Sequence, residues 1–192
     1  MVAERHDLDD QLLDRLRSGD ERALDALIAR YHSPLNHLVR RYVGSGDAAD
    51  DVLQDVFVRI WRTRHTLVLH GSLRSYLYAA ARNAAVNAVT SETARRRREA
   101  LVSESDALAV EPIADAVEQA ELEIAVRRAL DDLPERCREV FLLCRQHGLS
   151  YPEVASALGV SLSTVKTQMG RAMAALARRL TPFLAVVLTT RS

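Results

Sequence analysis

The residue types between Ser161 and Arg171 are those that read nucleic acid. Ser163, Thr164, Lys166, Thr167, Gln168 and Arg171 are hydroxyls, cations and an amide. Such groups supply hydrogen bonds to phosphate oxygens and to base edges in a major groove. Their context matters as much as their type. Ser150-Tyr151-Pro152-Glu153 has the spacing of a capping box, so a short helix starts there. Val154, Ala155 and Leu158 face its core side, Gly159 offers a turn with positive φ, and Ser161 caps a second helix. Val165, Met169, Ala172 and Leu176 recur at helical spacing as the inward stripe of that second helix, which leaves the polar set outside. A solvated helix face carries the same residue types. The short helix, glycine turn and capped helix, taken in order, instead predict a helix-turn-helix from Leu149 to Leu180 that lies on duplex DNA.

Two further sets invite a chemical reading. Asp50, Asp51, Gln54, Asp55, Arg59 and Arg62 line the polar side of a helix whose Val52, Val56 and Ile60 point inward. Such a face fits docking on a partner. Acids near a helix N-terminus also suit the macrodipole with no partner at all. A metal site is disfavoured, since no His or Cys completes one. Further on, Arg74, Tyr76, Tyr78, Arg82, Asn83 and Asn87 combine cations with flat side chains, as single-strand binding requires. Tyr76 and Tyr78 fit equally well as packed core aromatics. Asn83 is harder to explain by packing, because asparagine is a poor helix former.

The elements that carry these sets are helical. Leu8 to Ser18 reads as an amphipathic helix stopped by Gly19, and Asp20 caps a second through Leu24, Leu27, Ile28 and Tyr31. Ser33-Pro34 ends that helix and opens a third with Leu35, Leu38, Val39 and Tyr42, finishing near Gly44 and Gly46. Asp47 caps the fourth, which carries the acidic face. After a loop, His65 to Gly71, Ser72 caps a fifth helix that ends near Ser91. From Thr93 to Ala116 the periodicity fades and charge rises, which reads as a flexible linker. A further helix, Glu118 to Asp131, turns Leu122, Ala125, Val126 and Ala129 inward, and Leu133-Pro134-Glu135 opens another that ends near Gln146. The expected fold is all-α: a helical domain over 1–92, a linker over 93–116, a helix-turn-helix domain over 117–181 and an apolar tail over 182–192.

Charge is balanced overall, 26 Lys+Arg against 26 Asp+Glu, but it is segregated. Residues 1–98 carry 16 basic and 13 acidic groups, a balance of +3; residues 99–132 carry 2 and 10, or −8; residues 133–192 carry 8 and 3, or +5. Two basic lobes flank an acidic segment, the kind of asymmetry that bears on nucleic-acid partners. Cys137 and Cys144 lie about 10 Å apart along a helix, too far to bridge. With Val140 and Phe141 they form a core stripe. No nucleophile–base pair, metal-ligand set or phosphate loop is present, so neither an enzyme nor a cofactor is expected. No apolar run spans a bilayer and no secretory core follows Met1, so the expected location is cytoplasmic, without membrane insertion.

Leu133 to Leu143, Gly148 to Ala155, Gly159-Val160-Ser161 and Thr164 to Thr167 together resemble region 4 of the sigma-70 family. Gly19-Asp20-Glu21, Asp47 to Phe57, Ile60-Trp61 and Tyr76-Leu77-Tyr78 to Arg82-Asn83 resemble region 2. With only a linker between them, the layout is similar to that of extracytoplasmic-function (ECF) sigma factors. The resemblance implies binding to core RNA polymerase, through the clamp coiled coil of its largest subunit, by Asp51, Gln54, Asp55 and Arg59. It implies −35 readout by Ser163, Thr164, Lys166, Thr167, Gln168 and Arg171. It also implies −10 readout, partly as unpaired bases, by Arg74, Tyr76, Tyr78, Arg82, Asn83 and Asn87. Promoter DNA and an anti-sigma factor would be the other partners, with no small-molecule substrate. A stand-alone helix-turn-helix regulator is the competing reading, and it leaves the region 2 resemblance without a purpose. Gln168 and Gly170 stand where the family frequently has Arg and His, so an unusual promoter sequence is expected.

Overall fold

Asp20 opens a 23-residue helix by accepting a hydrogen bond from the backbone of Arg22. Arg15 holds that carboxyl in turn, and this bond keeps it below its ordinary pKa. The computed structural model describes residues 2–69, 71–99 and 117–189, with side chains over 8–69, 71–93 and 124–181. The chain divides into two helical units. No strand occurs among the described residues, so the fold is all-α.

The first unit holds α1 (Val2–Arg17), α2 (Glu21–Val43), α3 (Gly46–Thr63), a 3-10 turn (Arg64–Thr66) and α4 (Leu73–Glu99). Helix α2 packs against α1, α3 and α4, and α3 packs on α4. Leu27, Leu35, Val39, Leu53, Ile60, Leu73 and Leu77 are fully buried between them. Sequence reading breaks α2 at Ser33-Pro34; the helix in fact runs straight through Pro34. A mid-helix proline costs about 3 kcal/mol. Ala23, Leu27, Tyr31, Leu35, Leu38 and Val39 are buried on both sides of it, and large apolar side chains return about 1.5–3 kcal/mol each. Tertiary burial wins.

Two other boundaries differ from expectation. Ser45, not Asp47, caps α3: its backbone is extended and its hydroxyl accepts from Ala48 N at 3.2 Å. Asp47 sits inside the first turn, where its charge suits the dipole. Helix α4 continues to Glu99 rather than stopping near Ser91, because Ala, Arg and Glu are strong helix formers and no Gly or Pro intervenes. The Thr90 and Thr93 hydroxyls donate to the carbonyls of Val86 and Val89, which satisfies them within the helix. The remainder of the expected linker, 100–116, lies outside the described residues.

A polar lock fastens α1 to α2. Asp9 is buried, accepts a 2.6 Å hydrogen bond from the Tyr31 hydroxyl and lies 3.3 Å from Arg30 Nε. Burial first, then the Asp9 bond, raises the Tyr31 pKa above its ordinary 10.0. Tyr31 therefore remains a donor, and its stabilisation is complete below about pH 10 and lost as the pH climbs beyond it. Tyr31→Phe leaves a buried carboxylate oxygen without that donor, so a loss of about 1–3 kcal/mol is expected from the urea midpoint at pH 7. An unchanged midpoint would show that Arg30 alone satisfies Asp9.

The C-terminal part of the chain holds α5 (Val117–Asp131), α6 (Glu135–Arg145), α7 (Tyr151–Leu158) and α8 (Leu162–Thr189). Helices α5 and α6 both pack on α8, burying Ala129, Leu133, Cys137, Ala172 and Leu176 with Phe141 alongside. Cys137 is thus core, as its stripe predicts, and Cys144 is half-buried with its thiol pKa raised by burial. Helix α8 carries on through Thr181-Pro182 to Thr189, so the backbone of the expected apolar tail belongs to it up to that residue. The side chains of Leu122 and of the tail lie outside those described.

Candidate nucleic-acid and polymerase interface

The helix-turn-helix is built by local bonds that the sequence specifies. Ser150 N donates to the Glu153 carboxylate at 2.8 Å, and Glu153 N donates to Ser150 Oγ at 3.4 Å, which completes the capping box. At the other end of α7, Gly159 N donates to Ser156 O and Val160 N to Ala155 O, with Gly159 at φ +64°. That paired arrangement is a Schellman turn, and it needs a residue that tolerates positive φ. Ser161 Oγ then accepts from Thr164 N at 3.1 Å and starts α8.

On α8 the expected inward stripe is buried: Val165, Met169, Ala172 and Leu176. Ser163, Lys166, Thr167 and Arg171 are exposed. Thr164 is half-buried, and its hydroxyl, like that of Ser163, lies 2.8 Å from Ser161 Oγ. Gln168 departs from the expected outward set: it is half-buried, and its Oε1 accepts from Cys137 Sγ at 2.9 Å.

Arg138 on α6 ties that helix to the end of α5, a role that sequence reading does not pick out. Its Nε donates to Leu130 O at 2.8 Å, and its Nη2 donates to Leu133 O at 3.1 Å and to Asp131 O. A single guanidinium closes the carbonyl end of α5, and Arg179 on α8 pairs with Asp132 beside it. Arg138→Ala frees these carbonyls, with an expected loss of about 2 kcal/mol in the same denaturation assay. Arg138→Lys, lacking the planar fork, should recover less than half of it.

Helix α3 presents Asp51, Gln54, Asp55 and Arg59, all exposed. Asp50 is already engaged: Asn36 Nδ2 donates to it at 2.6 Å and His32 Nε2 lies 3.3 Å away, while the His32 ring stacks on Phe57. Asn36 and His32 come from the polar side of α2, a long-range pairing invisible along the sequence. Among the described residues no cluster of His, Cys, Asp and Glu has metal-binding geometry.

The third set is split by α4. Ser72 caps this helix, with Ser75 N donating to its hydroxyl at 3.1 Å. At 100° per residue, Tyr76, Asn83 and Asn87 fall within about 40° of one another. Asn83 and Asn87 are exposed and Tyr76 is half-buried. Arg82 flanks them, its Nη1 donating to Asn83 Oδ1 at 3.3 Å. Arg74 and Tyr78 lie on the opposite side, with the guanidinium 5.8 Å from the Tyr78 ring centre. Tyr78 is 2% exposed and is a core aromatic, which corrects its expected role as a stacking face for bases. Its neighbours Leu77, Ala81 and Ala85 are buried too, so the ring belongs to the packed side of α4.

Comparison with known proteins gives both halves a family. Residues 27–95 match the model of Sigma-70 region 2, and residues 123–176 match that of Sigma-70 region 4. The ECF RNA polymerase sigma factor SigM of Mycobacterium tuberculosis is 34% identical over 177 residues, covering 92% of this chain and 87% of that protein. The RNA polymerase sigma-H factor of Pseudomonas aeruginosa is 29% identical over 185 residues, covering 92% and 95%. Among solved structures, CnrH in complex with the cytosolic domain of CnrY aligns with a TM-score of 0.63 at 28% identity, over 91% of this chain and 97% of that one. Two helical units, one bearing an exposed acidic helix and the other a capped helix-turn-helix, coincide with the two matched regions. The chain belongs to the ECF sigma factors of the sigma-70 family, which direct RNA polymerase to promoters to initiate transcription.

Proposed function

We propose that this sigma factor grips its promoter complex at three places set by separate helices. Asp51, Gln54 and Asp55, with Arg59 one turn on, dock α3 on the clamp coiled coil of the polymerase's largest subunit. Tyr76, Asn83 and Asn87, flanked by Arg82, meet the −10 element. Ser163, Lys166, Thr167 and Arg171 meet the −35 duplex, with Thr164 helping to order the start of α8. The observation that carries this reading is that each set lies, exposed or half-exposed, on the side of a helix whose opposite face is core. Apolar burial fixes the helices, and polar side chains are left pointing away from them.

We assign the chemical reaction to the polymerase that sigma-70 family factors direct, and give this chain the task of positioning it. The chain works where that enzyme works, in the cytoplasm. CnrH is held by the cytosolic domain of CnrY in its solved structure. We extend this to an anti-sigma factor for the present chain, one that competes with core polymerase for the first unit.

Reconstitution with core RNA polymerase tests the proposal. The expected product is a holoenzyme that starts transcripts at discrete genomic positions bearing −10 and −35 elements. Tight duplex binding without core, together with no transcript from the reconstituted mixture, would favour the stand-alone regulator instead.

A further inference from the structure

A free glutamine carboxamide on a recognition helix reads adenine with both ends: the N–H donates to N7 and the oxygen accepts from the N6 amino group. Gln168 is not free to do this. It lies about 60° around α8 from the buried Val165, on the edge of the face that packs inward. Its Oε1 accepts from the thiol of Cys137 at 2.9 Å, and Cys137 on α6 is 2% exposed. The oxygen that adenine would need is turned into the protein. The amide nitrogen, with its two donors, is the end left to face a ligand.

We propose that Cys137, which lies in the core away from the exposed face of α8, is a positioning residue for promoter recognition: it holds the Gln168 carboxamide oxygen-inward, so that Gln168 meets DNA as a donor only. The base edge that suits a pair of donors is guanine, whose N7 and O6 both accept. Adenine loses the bidentate pairing that would otherwise favour it. The inference rests on the reading of α8 as the −35 helix and adds what one of its residues selects. A thiol is a weak donor, so the bias is small, about two- to fivefold in base preference.

The test is transcription by reconstituted holoenzyme from templates with a randomised −35 region, followed by sequencing of the templates used. Gln168→Ala should flatten the preference at one base pair, and wild type should not favour adenine there. Cys137→Ala should raise the share of adenine at that base pair about two- to fivefold. Cys137→Ser, whose hydroxyl donates in the same way, should keep the wild-type profile. Three results would overturn the proposal: a wild-type preference for adenine at the Gln168 base pair, no base pair that responds to Gln168→Ala, or a Cys137→Ala profile identical to wild type. If Cys137→Ala does not fold, the wild-type and Gln168→Ala arms still decide. Lys166→Ala and Arg171→Ala run alongside. If they too leave −35 selection untouched, the recognition-helix reading fails; if they weaken it while the Gln168 and Cys137 arms fail, only this inference falls.

Discussion

Replacing Asp51 and Asp55 together by arginine is expected to lower affinity for core RNA polymerase by roughly 30- to several-thousand-fold, with little loss of fold. A hydrogen-bonded charge pair buried on docking costs about 2–5 kcal/mol when one partner is removed, and reversal adds repulsion. Both carboxylates are exposed, so neither holds the core together. Asp51 lies in the second turn of α3 and Asp55 past its midpoint, beyond the first turn where the dipole acts, so each gains well under about 1 kcal/mol from it. A thermal melt should therefore move by a few degrees while core binding collapses. Asp50 provides the internal comparison. Its carboxylate is taken by Asn36 and His32, so Asp50→Ala should loosen α2 from α3 more than it weakens docking. Equal core affinity in the wild type and the double variant, measured by fluorescence titration, would reduce the acidic face of α3 to a helix-start preference.

The features that local chemistry determines were legible in the sequence. Asp20, Ser72, the Ser150–Glu153 box and Ser161 cap the helices assigned to them, because a cap is settled by three or four consecutive residues. The inward stripe of α8 was equally plain, since Val165, Met169, Ala172 and Leu176 repeat at the helical period. What escaped was decided at long range. Pro34 reads as a break, yet α2 is held on both sides of it by α1, α3 and α4. Tyr78 offers a flat ring for stacking, but the packing of α4 turns it toward the core while Tyr76, two residues earlier, stays half-exposed. Gln168 looks like a base reader by type and position. Only the fold brings Cys137, 31 residues away, within reach of its oxygen. Ser45 escaped for a different reason: it and Asp47 are both good caps, and a two-residue shift lies within the uncertainty of any boundary read from a sequence.

Alanine at Lys166 or Arg171 is expected to weaken use of the −35 element by roughly 5- to 150-fold while core affinity stays at its wild-type value. The range follows from about 1–3 kcal/mol, for Arg171 as a well-made bond to a base edge and for Lys166 as a hydrogen bond to a charged phosphate. Both side chains are exposed on α8, outside the buried stripe that packs against α5 and α6, so the helix survives their removal. Salt dependence tells the two modes of binding apart. Removing a cation that pairs with a phosphate reduces the slope of log affinity against log salt by about one and weakens all sequences alike. Removing a side chain that reads a base leaves the slope nearly unchanged and relaxes selection at one position. Lys166 lies near the start of α8, where cations and helix dipole act together on phosphates; a slope change is expected there. Arg171 lies more than a turn further on and presents a planar fork suited to guanine, so relaxed selection is expected instead. The measurement is holoenzyme binding to a promoter and to a scrambled −35 duplex over a range of salt concentrations. Parallel loss of core affinity in either variant would place these side chains in the polymerase interface, and the second unit would then need another surface for DNA.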